Sequence, residues 1–68
     1  MTNQIEIVKQ ARRNLPTAQD YSGNEYIVLI RIDFDSYKVR FKRVNYPFNI
    51  NGNMVSSYYW KYIETKNM

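Results

Sequence analysis

Side chains able to act as a general base or as a nucleophile are scarce in this chain. The sequence contains no histidine and no cysteine, so the usual catalytic pairs and the usual zinc ligands are missing. Ser56 and Ser57 have no base near them in the sequence. We therefore expect a protein that binds a partner, catalyses no reaction and carries no cofactor.

Acidic side chains could in principle hold a divalent cation. Asp33 and Asp35 fall on one face of a predicted strand, and Asp20 or Glu25 could join them. Hard cations need several oxygen ligands in a shaped cage, and a chain of 68 residues has little room for one. Turn formation accounts for Asp35, and pairing with Lys38 accounts for Asp33. We expect no metal site.

Basic side chains form the first candidate binding surface. Residues 1–35 carry four basic and five acidic groups, whereas residues 36–68 carry six basic groups and one acidic group. No acid lies between Ser36 and Ile63. Such asymmetry favours an anionic partner, above all DNA or RNA. The residues predicted to contact nucleic acid are Arg31, Lys38, Arg40, Lys42 and Arg43.

The spacing of these cations fits a phosphate chain. Same-face residues of a strand lie about 6.5–7 Å apart, close to the spacing of successive phosphates. The predicted register sets Arg31 beside Arg40, a repulsive pair that a bound phosphate would stabilise. A solvated sheet face shows the same alternation, and edge lysines also prevent aggregation, so the pattern is not specific to nucleic acid.

Aromatic residues near the C-terminus indicate a second kind of partner. Residues 56–62 carry more aromatic surface than a thin core can cover on both faces of a strand. Tyrosine and tryptophan are frequent at protein–protein hot spots. The candidate docking residues are Tyr58, Trp60 and Tyr62, facing a larger host protein or a second copy in a homodimer. Alternatively, the aromatic segment belongs mostly to the core. The helix is then covered by Tyr59, Tyr62 and Ile63, and only Trp60 remains to contact a partner.

The length and composition predict a single domain over residues 1–68. A chain this short buries only about 60% of its unfolded surface, so its core is thin. The N-terminus has no signal-peptide pattern, and no apolar run approaches the ~20 residues that cross a bilayer. We expect a soluble, cytoplasmic protein without membrane contact.

Residues 4–14 are predicted to form a helix. Asn3 is the expected N-cap, with Glu6 completing a capping box, and Pro16 ends the helix. The apolar stripe expected to face the core comprises Ile5, Val8, Ala11 and Leu15.

An alternating pattern predicts a first strand from Glu25 and a second from Tyr37, with Asp35-Ser36 as the turn. The expected core pairs are Phe34–Tyr37, Ile32–Val39 and Ile30–Phe41. After Phe41 the apolar phase changes, which predicts a β-bulge near Lys42-Arg43 that would turn both toward the same region. Pro47 indicates that this stretch lies at a sheet edge or leaves the sheet.

Asn51-Gly52 predicts a type I′ turn and a second hairpin, because both residues tolerate positive φ. Residues 54–63 fit either a strand or an amphipathic helix, and their β-branched and aromatic composition favours the strand. The predicted architecture is α+β, one N-terminal helix packed on a three-stranded antiparallel meander. The alternative is a two-stranded hairpin between two helices.

The favoured function is nucleic-acid binding, mainly through phosphate contacts on a β-hairpin face. The alternative is a small regulator or inhibitor that docks on a larger protein through its aromatic surface. Eight asparagines would suit an AT-rich bacterial or phage genome.

Overall fold

The computed structural model describes residues 4–68 and confirms the α+β architecture. Its elements are α1 (Gln4–Arg13), β1 (Glu25–Ile32), β2 (Asp35–Ile50) and β3 (Asn53–Asn67). The strands form one antiparallel sheet in the order β1-β2-β3, and α1 contacts all three. The alternative with a second helix is wrong, because residues 54–63 lie within β3.

The helix faces the sheet with most of the predicted stripe, since Ala11 is buried and Val8 and Leu15 pack against the core. Ile7 and Ala11 are its buried residues, whereas Ile5 is exposed. Ile5 and Ile7 are two residues apart and therefore lie on nearly opposite sides of the helix, so only one of them can face the sheet. The predicted N-cap, Asn3, falls outside the described residues.

The turn between β1 and β2 comes two residues earlier than predicted. Asp33 and Phe34 form it, and Asp33 has a φ of 56°, a conformation that aspartate tolerates well. Phe34 is consequently exposed, and the pairs Phe34–Tyr37, Ile32–Val39 and Ile30–Phe41 are not formed. The observed register sets Ile30 opposite Tyr37, Val28 opposite Val39 and Tyr26 opposite Phe41. This register differs from the predicted one by an even number of residues, so side chains keep their predicted faces.

The hairpin of β2 and β3 turns at Asn51-Gly52, as predicted, with φ values of 52° and 84°. Its bulge is in β3 and not at Lys42-Arg43. Arg40 pairs with Glu64 while Phe41 pairs with Tyr62, which leaves Ile63 as the extra residue.

The tip of this hairpin projects beyond β1. The pairing of β1 with β2 reaches only Lys42, so within residues 4–68 β2 has no strand neighbour on that side from Arg43 onward. Pro47 lies in this stretch, which confirms its predicted edge position and means that its missing N–H disrupts no sheet pairing there.

The core lies between α1 and one face of the sheet, which we call the covered face. The opposite face, which no helix of the described residues covers, is called the open face. The buried residues are Ile7, Ala11, Ala18, Val28, Ile30, Val39, Phe41 and Trp60. Within residues 4–68, no helix is both long enough and apolar enough to cross a membrane.

Candidate nucleic-acid interface

The open face of the sheet brings together four of the five predicted phosphate-binding residues. Strand alternation places Arg31 of β1 on this face together with Lys38, Arg40 and Lys42 of β2. Arg31 lies opposite Ser36, and the predicted contact with Arg40 is absent, because the turn begins earlier than expected.

Two lysines of β3 extend this basic surface. Lys61 lies directly opposite Lys42, and Lys66 lies directly opposite Lys38. We call these four residues the lysine quartet. Sequence reasoning missed the β3 members, although counting outward from the Asn51-Gly52 turn would have paired Lys42 with Lys61. Lys66 could not be found in this way because the bulge at Ile63 shifts the register before it.

Arg40 lies between the two lysine pairs and is held by two carboxylates. Its Nη2 is 3.0 Å from Glu25 Oε1, and its Nη1 is 2.8 Å from Glu64 Oε1. The hydrogen bond to Glu25, followed by the one to Glu64, raises the pKa of Arg40 above its ordinary value. The hydrogen bond from Arg40 is likewise the main cause that lowers the pKa of Glu64. The two carboxylates therefore compensate the charge of Arg40, which attracts an anionic ligand less strongly than the lysines around it do.

Arg43 lies on the covered face, apart from the other predicted phosphate-binding residues. Its Nε donates to the carbonyl of Ala18 at 2.6 Å, and its guanidinium carbon is 3.5 Å from the ring centroid of Tyr58. Without a bulge at residues 42–43, neighbouring side chains of β2 point to opposite faces. The prediction that Arg43 joins Lys42 is corrected on this ground, and Arg43 instead ties the loop after α1 to the sheet.

The three predicted docking residues also lie on the covered face. Trp60 is only 8% exposed, and its Nε1 donates to the carbonyl of Pro16 at 2.8 Å. The Tyr62 hydroxyl accepts a hydrogen bond from Gln4 Nε2. Tyr58 packs against Arg43. Trp60 thus contacts the loop after α1 and Tyr62 contacts the helix, so Trp60 belongs to the core and is not free to face a partner.

Different aromatic residues are exposed on the open face. Beyond the lysine quartet, Tyr46 and Tyr59 are exposed and meet edge to face, with ring centroids 6.5 Å apart. The Phe48 ring lies 6.2 Å from that of Tyr46. The change of apolar phase after Phe41 was the signal for this surface, because it transfers the apolar residues of β2 to the open face where the helix no longer lies beneath the sheet.

The open face thus offers cations and ring faces to a ligand. Within the part of the chain that the structure describes, no three acidic side chains come close enough to share a metal ion. In comparisons with protein-family models, curated proteins and solved structures, the chain shows no match.

Proposed function

We propose that this protein binds nucleic acid through phosphate contacts on the open face of its sheet and does not itself catalyse a reaction. The lysine quartet is the observation that supports this proposal. It consists of two directly opposed lysine pairs on a face that no other element covers. Like charges opposite one another destabilise an isolated sheet, and a bound polyanion removes that repulsion.

The quartet has dimensions suited to a phosphate chain. Lys38 and Lys42 are four residues apart on β2, which corresponds to roughly 13 Å along the strand. Arg31 adds a further cation on β1. The carboxylates on this face, Glu25 and Glu64, are both engaged by Arg40. Lys66 Nζ lies 3.7 Å from Glu64 Oε1, so within the quartet Lys38, Lys42 and Lys61 have the most charge available to neutralise phosphates.

Exposed rings beside the quartet favour a single-stranded ligand. Tyr59 precedes Lys61 by two residues on β3 and so lies next to it on the open face. Bases of a single strand are free to stack on such rings, and each stacked base contributes about 1–3 kcal/mol. Bases of a duplex are already stacked on each other. We therefore propose single-stranded DNA or RNA as the ligand, bound with little base specificity.

A salt titration with a short single-stranded oligonucleotide tests the proposal. The logarithm of the affinity should fall with the logarithm of salt concentration by about 0.7 per phosphate neutralised. The double variant Lys42→Gln/Lys61→Gln should weaken binding. It should also reduce this slope by roughly the contribution of two phosphate contacts. A matched control is Lys9→Gln/Arg13→Gln, which removes the same charge from exposed positions of α1 on the other side of the sheet.

The control double variant should retain most of the affinity. Equal losses in the two double variants would mean that only net charge matters, which contradicts a site on the open face. Absence of binding at low salt to single-stranded and duplex DNA and RNA would refute the proposal altogether.

We do not propose docking on a larger protein as a second function. That alternative depended on Tyr58, Trp60 and Tyr62, which pack on the covered face. We place nucleic-acid binding in the cytoplasm, a setting compatible with a sequence that has no cysteine.

A further inference from the structure

β1 is an edge strand of the sheet. In a two-residue hairpin, the residues flanking the turn form a hydrogen-bonded pair, here Ile32 and Asp35. Every second residue of β1 therefore bonds to β2, and the others direct their backbone N–H and C=O groups outward. The outward residues are Glu25, Ile27, Leu29 and Arg31.

The opposite edge of the sheet is protected. The side-chain amide of Gln19 caps β3 as a short strand would, since its Nε2 donates to Ser56 O at 3.4 Å and its Oε1 accepts from Tyr58 N at 3.2 Å. Arg12 Nη1 donates to Trp60 O at 3.2 Å. The bulge at Ile63 interrupts the same strand. Another chain cannot pair along this edge without breaking these contacts.

β1 has no comparable protection. It contains no proline, lysine or bulge, and its pairing with β2 is continuous. Among residues 4–68, the hydrogen bond found on its outward groups is the one that the Tyr21 hydroxyl donates to Glu25 O, at 3.4 Å. Leu29 is 66% exposed and Ile27 is 44% exposed on the open face. A regular, apolar edge strand of this kind is a template for pairing with another strand.

We propose that β1 pairs antiparallel with β1 of a second copy of this protein, about a two-fold axis at Val28. The sequence Glu-Tyr-Ile-Val-Leu-Ile-Arg is complementary to itself in this register. Glu25, whose Oε1 already accepts from Arg40, meets Arg31 of the second copy with its other oxygen, and Ile27 meets Leu29 of the second copy. Tyr26 meets Ile30 of the second copy on the covered side, and the two Val28 residues meet on the axis. Each outward N–H and C=O group of β1 then has a partner.

Neighbouring registers lack this complementarity. An axis at Leu29 would set Glu25 against Asp33 of the second copy and Arg31 against Ile27. An axis at Ile27 would set Glu25 against Leu29 and leave Arg31 opposite Gly23. Only the axis at Val28 gives Arg31 a carboxylate partner, and no ion pair of Arg31 is found within residues 4–68 of a single copy.

The resulting dimer has one continuous six-stranded sheet. A two-fold axis normal to the sheet places both open faces on the same side and both helices on the other. The two lysine quartets then share one surface, and Ile27 and Leu29 of both copies pack together near its centre.

Sedimentation velocity over a range of concentrations tests the dimer. The wild-type chain should sediment as a dimer that dissociates on dilution, because an edge-to-edge interface is small. Leu29→Lys should give a folded monomer, since it places two cations beside the axis. The matched control is Ile5→Lys, which adds the same charge at another exposed apolar position, on α1, and should remain dimeric. A monomer at every concentration, or equal effects of the two substitutions, would overturn the proposal.

A cysteine cross-link tests the register. The native chain has no cysteine, so a single introduced thiol can bond only to its copy. Val28→Cys should give a covalent dimer on mild oxidation, because position 28 meets itself on the axis. Ile30→Cys, on the same strand and equally buried, should not, because it faces Tyr26 of the second copy. Cross-linking of Ile30→Cys as readily as Val28→Cys would overturn the register. The Leu29→Lys comparison still decides the interface if either cysteine variant fails to fold.

Discussion

Arg43 stacks on Tyr58, with its guanidinium carbon 3.5 Å from the ring centroid, while the same group donates to the carbonyls of Ala18 and Gln19. One side chain thereby holds the loop after α1 against the base of the projecting hairpin. This relationship separates Arg43 from the other cations of β2, because its charge is already used within the protein.

Replacing Arg43 should therefore affect stability more than ligand binding. We expect Arg43→Ala to lower the free energy of unfolding by about 2–3 kcal/mol, from the loss of charged hydrogen bonds and of the cation–π contact. Arg43→Lys should recover only part of this, because an ammonium cannot stack and donate in the same fixed geometry. Urea denaturation measures the change. If folded Arg43→Ala lost affinity for oligonucleotide as Lys42→Ala does, the assignment of Arg43 to the fold would be contradicted.

The lysine quartet should destabilise the free protein. We expect Lys61→Glu to raise the free energy of unfolding by about 0.2–1 kcal/mol, because the new carboxylate lies opposite Lys42. Lys42→Glu should gain less, because position 42 lies between Lys61 on β3 and Glu25 on β1, and the double variant should lose the gain because its glutamates repel. A double-mutant cycle by urea denaturation at low salt measures this coupling. The gain should shrink at high salt, where exposed charges are screened. Both single variants should bind oligonucleotide more weakly than the wild type, so stability and affinity should change in opposite directions.

Trp60 should behave as a core residue. We expect Trp60→Ala to lower the free energy of unfolding by about 3–5 kcal/mol, enough to unfold much of so small a domain. Trp60→Phe should cost less, since it keeps the ring contacts with Tyr21 and Tyr26 and loses the bond to Pro16 O. Tyr59→Ala is the matched control on the open face and should change stability little. Circular dichroism and thermal melting compare the three, and a stable, fully folded Trp60→Ala would show that the aromatic cluster is not what holds the fold.

The sequence predicted the faces of the sheet better than it predicted the contacts on them. Alternation assigns a side chain to a face whatever the exact register, so Lys38, Arg40 and Lys42 were placed together correctly although the turn was displaced. The bulge depends on long-range pairing between β2 and β3, and no local pattern fixes which of the two strands carries the extra residue. Arg43 was assigned to the wrong face for a different reason. A change of apolar phase indicates a bulge only if the core stays on one face, and here the apolar residues of β2 pass to the open face beyond the helix.

The predicted site lacked the β3 lysines, Lys61 and Lys66, because their position also depends on long-range pairing. Whether residues 54–63 form a strand decides where Lys61 points, and local propensity decides such segments weakly. Burial of Trp60 likewise depends on the path of residues 14–20, which bring the carbonyl of Pro16 to the indole. Loops of this kind have no periodic signal in the sequence.

The carboxylate of Glu64 should make stability depend on pH. Because the hydrogen bond from Arg40 lowers the pKa of Glu64 in the folded state from its ordinary value of 4.5, the unfolded chain takes up the proton first. The stabilisation is therefore complete above that ordinary value and is lost as the pH falls through the lower, folded value. We expect Glu64→Gln to be less stable than the wild type at neutral pH and to lose less stability on acidification.

Arg40→Gln provides the matched control for this effect, because it removes the main cause of the shift while keeping the glutamate. Its stability should fall less steeply with acid than that of the wild type, and the double variant should add little to either single change. Lys66→Gln should have a smaller effect, since its ammonium lies 3.7 Å from Glu64 Oε1 against 2.8 Å for Arg40 Nη1. Urea denaturation from neutral pH to below pH 4 measures the four variants. Parallel curves for the wild type and Glu64→Gln would mean that Arg40 and Glu64 are not coupled in solution.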